Sequence, residues 1–389
     1  MNLRAHIGTA ARQIILLHLR MIGFVMFVLL TVAIAIDLTN NLEDVRRHAE
    51  QAGAPFVPLL AKYLGYRAID IVTRLLPMAS LAGAFLAELL RHQRMENVIL
   101  SAAGAGPSLV YGALLTVALL IGSVQASLEG WLRPTAIWAQ VDLDLGSYAG
   151  RFRRGLIGPE WFTDETRAIR AKVMRSDVPE LRDVMVFDGI EQETLNSIVF
   201  AETAVPGDTP TAWILRDVVL WKGEPGAVMQ PEQLESLEMV FPLLPTHLQY
   251  HGVLGFYLPS APLREIADFR ERAQWADAET AVARRYLAFL LPGVFAFLGA
   301  TLSQAARSGR FISWWRLLPL GTTGYVTLVS VKSFWALGEF GVLAPWFSAG
   351  APLVFAFLLA CLIQLALMGR LYSPHRRRAY EPLVEEKEY

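Results

Sequence analysis

The sequence predicts a membrane α-helical protein in which six transmembrane helices, three plus three, flank an inserted all-β domain. Three observations predict it. Apolar residues make up 54% of the 389-residue chain and charged residues only 18%, a balance unusual for a soluble protein. The apolar residues gather in runs of the ~20 residues that a hydrocarbon core of ~30 Å demands. Lys and Arg accumulate in alternate short connections, as they do in cytoplasmic loops.

Runs at about 15–37, 69–90, 109–131, 286–304, 315–337 and 349–369 read as spans. The first follows a basic terminus, yet its apolar stretch is too long for a signal-peptide core. Asp37-Leu38-Thr39-Asn40 succeeds Ile36 where a small-residue cleavage pattern would stand, so a retained anchor helix is expected. Orientation follows from charge. Arg4, Arg12 and Arg20 accompany the amino terminus, and Arg91 and Arg94 the second-to-third connection. Arg307, Arg310 and Arg316 mark the fourth-to-fifth, and Arg370, Arg376, Arg377 and Arg378 the tail. The first-to-second connection mixes signs (Glu43, Asp44, Arg46, Arg47, Glu50, Lys62), and the fifth-to-sixth holds mainly Glu339. Both termini are therefore expected in the cytoplasm and the long central interval outside.

Within that interval, from about 147 to 260, periodicity shortens to two and turn residues intervene. Asp183 to Asp188 is a short strand run closed by Gly189, and Leu195 to Val205 a longer one closed by Pro206-Gly207-Asp208. In Thr211 to Lys222, Trp213, Leu215, Val219 and Trp221 share a face at period two, and that face should line an apolar interior. A sandwich, jelly roll or open barrel fits such spacing, with strand order left open. Ordinary core packing and a groove for acyl chains are both open readings of the aromatic face. Pro262 to Arg285 reads as a charged amphipathic helix leading into the fourth span, either a coupling element or a solvated connector. The expected division is 1–131, 132–275 and 276–389.

Several function classes are excluded. A net charge of −1 does not suit a nucleic-acid partner. The one cysteine, Cys361, lies in an apolar run and can form no intrachain disulfide. No phosphate-binding loop, His-Glu-x-x-His or Gly-x-Ser-x-Gly motif occurs, so no catalytic residue, metal site or bound cofactor is expected. Ionisable groups in the spans stand out instead, because charge in hydrocarbon is costly. Asp70 precedes Arg74 by one turn, and Lys332 precedes Glu339 by about two. Local pairing, snorkelling of Arg67, Arg74 and Arg133, or a basic rim facing a phosphate-bearing lipid each account for them. Glu88 to Gly104 keeps helix-forming composition past the membrane and stops at Gly104-Ala105-Gly106-Pro107. A helix there could dock a soluble motor or lie on headgroups.

Leu76-Pro77, Leu81-Ala82-Gly83, Arg91, Arg94, Glu96 and Ala102-Ala103-Gly104 resemble the Leu-Pro, Leu-Leu-Gly and coupling-helix pattern of the LptF/LptG permease family. Trp161-Phe162, Asp183-Val184 and Trp213 to Val218 resemble its periplasmic jellyroll strands, and Gly341 to Trp346 its last loop. The resemblance implies a multi-pass inner-membrane subunit that extracts lipopolysaccharide and hands it to a periplasmic bridge. It further implies a heterodimer with a homologous permease, a cytoplasmic LptB ATPase dimer that uses ATP and Mg, and LptC and LptA. A coupling helix at about 91–106 would place Glu96, Arg91, Arg94 and Met95 at the ATPase. Arg46, Arg47, Lys62, Arg67, Arg74 and Arg133 would meet lipid phosphates, and Trp213, Leu215, Val219 and Trp221 the acyl chains. Met95 departs from the family's small polar residue, and Ala105-Gly106-Pro107-Ser108 from its Val/Ile-Ser ending. Ile36-Asp37-Leu38 and Leu42-Glu43 lean towards the LptG branch. A membrane sensor or scaffold that binds an envelope ligand through its β-domain is the alternative, but only about 20 residues follow the last span to signal with.

Overall fold

A computed structural model describes residues 8–368 except 153, 177, 223–229, 271–273, 309, 310 and 313. Arg4, Arg310 and the arginines of the tail lie outside the described residues. Two compact units emerge: Met1–Asn40, Arg67–Arg133 and Ala283–Tyr389 form the first, and Asn41–Tyr66 with Pro134–Val282 the second.

In chain order, α1 (Thr9–Ala52) and α2 (Phe56–Gln93) precede a short α3 (Glu96–Ala102). Then α4 (Pro107–Ser127) runs through a π-helical turn (Leu128–Leu132) into α5 (Arg133–Asp142), and α6 (Gly146–Arg151) follows. The strands are β1 (Gly155–Thr163), β2 (Arg167–Arg175), β3 (Glu180–Asp188), β4 (Ser197–Pro206), β5 (Ala212–Lys222) and β6 (Pro231–Val240). Helices α7 (Pro245–Gln249), α8 (Ser260–Asp268), α9 (Gln274–Leu287), α10 (Leu291–Ala305), α11 (Trp314–Glu339) and α12 (Pro345–Leu367) follow, with a two-residue strand pairing of Arg307–Ser308 and Phe311–Ile312 between α10 and α11.

Among the described residues four helical stretches are long and apolar enough to cross a bilayer: Thr9–Ala52, Phe56–Gln93, Ser108–Asp142 and Pro345–Leu367. A fifth arises if Trp275–Leu287 and Leu291–Ala305, which meet at 60°, count as one broken span. Pro292 in the first turn of α10 fits the break, since it has no N–H to give to the carbonyl four residues back, at Ala288. Helix α11 has 26 residues, enough length, but Thr322, Thr323, Ser330, Lys332 and Ser333 dilute its apolar character. At 1.5 Å per residue, the 44 residues of α1 reach about 66 Å, more than twice the hydrocarbon thickness.

In the first unit Ile22, Leu76, Ala84, Val117, Ile121 and Ala296 bring α1, α2, α4 and α10 into one core. Phe295, Leu298, Val331, Leu353 and Ala360 join α10, α11 and α12 in another. Two glycines permit close helix crossings. A Cβ on Gly83 would strike the Ile22 backbone of α1, and one on Gly299 the Leu81 carbonyl of α2. Small residues at helix contacts replace the hydrophobic drive that lipid does not supply.

The second unit holds the inserted all-β domain expected from periodicity. Its six strands form one antiparallel sheet in sequential order, β1 to β6. This is a meander, whereas two Greek keys would interleave the order. Phe162, Ile169, Val173, Leu181, Val186, Val199, Trp213 and Leu215 line its buried face, against Phe241, Leu243 and Leu248 of the following segment. Trp213 donates its Nε1–H to the Leu243 carbonyl at 2.9 Å.

The alternation slips once along the middle of the sheet. Asp183 and Asp217 adopt left-handed backbone, with φ 49° and 54°, a region that Asp tolerates better than most residues. The slip exposes two successive residues, Arg182-Asp183 and Arg216-Asp217. Register aligns Asp183, Glu202, Asp217 and Glu235 across four strands, so the sheet is creased along one line. The expected face of β5 is thereby corrected. Trp213 and Leu215 are buried, but beyond the crease Val218 and Leu220 take the inner positions, and Val219 and Trp221 leave that core.

The single amphipathic helix expected over Pro262 to Arg285 is instead α8 and α9. Leu263 and Ile266 are buried against Leu258, Ala278 and Ala281 as their spacing suggested.

Candidate functional site

Two constellations of polar residues lie in the first unit, one at each end of its helices. The first surrounds α3. Helix α2 does not run on through Arg94 but stops at Gln93, and Met95 turns the chain in left-handed conformation, φ 57° and ψ 20°. Gly104, also left-handed at φ 79°, ends the helix where the glycine signal placed its stop. Arg91 holds the corner. Its side chain is 0% exposed, donating to Glu88 at 2.5 Å, Glu96 at 3.3 Å and Asn97 at 2.8 Å.

Glu88 in turn faces His18 of α1 at 3.4 Å, while His18 Nδ1–H donates to the Ile14 carbonyl at 2.8 Å. One guanidinium therefore joins the end of α2 to the start of α3 and, through Glu88, to α1. Arg91 is thus an internal fastener with no surface of its own. Glu96 is one-third exposed and Arg94 lies in solvent, 4.0 Å from Glu96. Periodicity did not single out Val98 and Ile99, which stand 59% and 63% exposed on α3. They form a small exposed apolar patch on a short helix.

The second constellation is a buried ionic network. Arg67 binds Asp37 at 2.7 Å and Asp70 at 3.2 Å. Asp70 also receives Arg74 at 3.0 Å and Arg133 at 2.9 Å. Arg133 reaches Glu129 at 3.3 Å, and Glu129 lies 3.8 Å from Arg284. Arg284 pairs with Glu339 at 2.7 Å and stacks 4.0 Å over the Trp335 ring. Four arginines meet four carboxylates, drawn from α1, α2, the π turn and its edge, α9 and α11.

The π turn matters here, because its wider helical turn carries Glu129 at the site that Arg133 and Arg284 share. Asp37, Glu129 and Arg284 carry no local sign of the network: Arg67 lies 30 residues from Asp37 and Glu339 55 from Arg284, and only Arg133 stands near its partner, four residues beyond Glu129. The local Asp70–Arg74 pair is present, and Arg74 remains 45% exposed. Arg67 and Arg133 face inward to carboxylates. Lys332 does not join Glu339, which Arg284 occupies; it is exposed on α11.

The other proposed phosphate contacts belong to the second unit. Arg46 pairs with Glu50 at 3.2 Å and Arg47 with Asp44 at 2.8 Å, all four on the surface. Lys62 is also exposed.

These features define a class: a multi-pass membrane protein with an inserted antiparallel β-domain, a short helix fastened to the preceding one by a buried arginine, and no metal-holding group of His, Cys, Asp or Glu among the described residues. The chain matches the family described as lipopolysaccharide export system permease LptF/LptG over residues 14–368, and it belongs to that family. The match is to the joint family and does not separate its two branches. Comparison with curated proteins finds no match.

Proposed function

We propose that this chain, paired with a homologous permease, extracts lipopolysaccharide from the inner membrane and passes it through LptC and LptA towards the outside. The observation that carries this reading is the family match over residues 14–368, which takes in the helices, α3 and the whole β-domain without interruption. ATP and Mg are used by an LptB dimer that receives α3 through Val98, Ile99 and Glu96. In this reading both termini lie in the cytoplasm and the β-domain in the periplasm. Residues 1–131 then supply the first three membrane helices with the coupling helix, 132–275 the periplasmic β-domain and its connecting helix, and 276–389 the last three membrane helices with the basic cytoplasmic tail. The chain itself is not an enzyme and binds no cofactor.

The exposed cations support a phosphate-rich cargo. A lysine at hydrocarbon depth costs about 2.5–3.5 kcal/mol unless it meets water or an anion. Exposed Lys332, among the hydroxyls of α11, and half-exposed Arg74 suit a polar wall that lipid phosphates would approach. The buried half of β5, Trp213 and Leu215, serves as the floor of the β-domain, and acyl chains would pass over the creased sheet.

The test replaces Lys332 or Arg74 with a photo-crosslinking residue in membranes that hold the whole transporter. Lipopolysaccharide adducts that depend on ATP are expected. Adducts with bulk phospholipid alone would refute the reading, as would purification in mild detergent without an ATPase partner.

A further inference from the structure

A proline inside a helix leaves one carbonyl without its helical partner. Pro77 lies within α2, which continues through it, and the N–H that Pro77 lacks is the one that would reach the Thr73 carbonyl, four residues back. Within a span, hydrocarbon offers no water to replace that bond, so a neighbouring helix has to. Gln125 of α4 does so: its Nε2–H donates to the Thr73 carbonyl at 3.1 Å. Thr73 and Gln125 are both 2% exposed. The orientation of the amide is forced, because only its NH2 end can face a carbonyl.

The same stretch of α2 is loosened twice more. Thr73 donates its hydroxyl to the Ile69 carbonyl at 2.7 Å, and Ser80 to the Leu76 carbonyl at 2.7 Å. Hydroxyls bonded back by one turn compete with the helical ladder and bend helices. The proline, the freed carbonyl and both hydroxyls thus fall within residues 69–80.

This stretch separates the two constellations. Asp70 stands at its start, in the ionic network, and Arg91 lies about 21 Å beyond Pro77 by helical rise, holding Glu96 of α3. Past Pro77, the close contacts of Gly83 with Ile22 of α1 and of Leu81 with Gly299 of α10 seat α2 against its neighbours, so that half of the helix moves with them as one body. A change of about 10° in bend at Pro77 carries the Arg91 end about 4 Å.

We propose that α2 hinges at residues 73–77 and that Gln125 is the positioning residue that latches the hinge, by capping the carbonyl that Pro77 frees. Gln125 Oε1 has no hydrogen-bond partner among the described residues. The latch is therefore held by one bond, whose net contribution is small enough to exchange. Motion that enters through α3 is taken up at Pro77 before it reaches Asp70. That last step rests on the export reading under Proposed function; the latch does not.

The test uses the full chain in mild detergent, without ATPase or lipopolysaccharide, so that its failure is separable from that of the export reading. Gln125→Met keeps the length of the side chain and removes the donor. It should lower the melting temperature by about 2–10 °C more in the otherwise unvaried chain than in one carrying Pro77→Ala, where a restored N–H serves Thr73. An equal effect in both backgrounds would overturn the capping. Amide hydrogen exchange at residues 78–81 should rise about fivefold in Gln125→Met while α12 stays unchanged. No rise, or one spread evenly over the helices, would overturn the hinge. In membranes that hold the whole transporter, Pro77→Ala should stiffen α2 and lower the lipopolysaccharide released per ATP hydrolysed several-fold. Release per ATP equal to that of the unvaried, exporting transporter would overturn the hinge's part in the cycle.

Discussion

Neutralising Asp70 is the sharpest perturbation of the ionic network. Its carboxylate is 1% exposed and accepts three guanidinium groups, from Arg67, Arg74 and Arg133. Arg67 keeps Asp37 and Arg133 keeps Glu129 when Asp70 becomes Asn, but the network of four arginines is left with three carboxylates. Removing one partner from a buried ion pair costs about 3–5 kcal/mol, chiefly through the charge left behind. Half-exposed Arg74 adds little to that sum, because solvent screens it.

With about 2–4 °C lost per kcal/mol in a unit of this size, Asp70→Asn should lower the melting temperature by about 6–20 °C. The assay is thermal unfolding of the detergent-solubilised chain, followed by intrinsic tryptophan fluorescence. A double-mutant cycle isolates the contact: Arg133→Gln combined with Asp70→Asn should destabilise less than the two separate losses added together. A shift below about 2 °C, or strict additivity, would show that water or lipid solvates these charges and that the network is not a structural tie.

Glu96→Lys sets a cation beside Arg91 and Arg94 and should reduce co-purification with the ATPase, read by affinity capture; unchanged assembly and export would remove Glu96 from that interface. Ile99→Asp, at an exposed position, should leave the melting temperature unchanged while weakening ATPase binding about 10- to 100-fold, the equivalent of burying one aliphatic side chain. Asp217→Val should destabilise the β-domain by about 1–2 kcal/mol whereas Asp217→Gly should not, because only the branched side chain resists left-handed backbone; thermal unfolding compares the two. Lys172 hydrogen-bonds to and faces Asp183, holding its carboxyl below the usual carboxylate range. A depressed folded-state value contributes stability above the unfolded-state value and loses it as pH falls through the folded one, so the gain of wild type over Lys172→Met should vanish in acid.

The helical spans, the inserted β-domain and the stop at Gly104 were legible because each is written locally, in run length, period or a single glycine. The ionic network was not. Arg67 and Asp37 lie 30 residues apart and Arg133 and Asp70 63, so only helix packing discloses that apparent surface cations turn inward. The crease left a faint trace: Asp183 and Asp217 are poor strand residues set inside otherwise apolar runs. Ignoring them carried the period across a slip and assigned Val219 and Trp221 to the wrong side. Arg91 was similarly misjudged as a contact, since sequence shows charge but not burial. The π turn at Leu128–Leu132 has no signature in residue type at all.

Arg91 also sets how force can travel. Its three hydrogen bonds converge from two helices onto a planar group with no room to pivot, and a hydrogen bond fails when stretched by more than about half an ångström. Helix α3 is therefore geared to α2, with His18 of α1 meshed one tooth further on. A tug applied at Ile99 must either turn all three helices together or strip the gear.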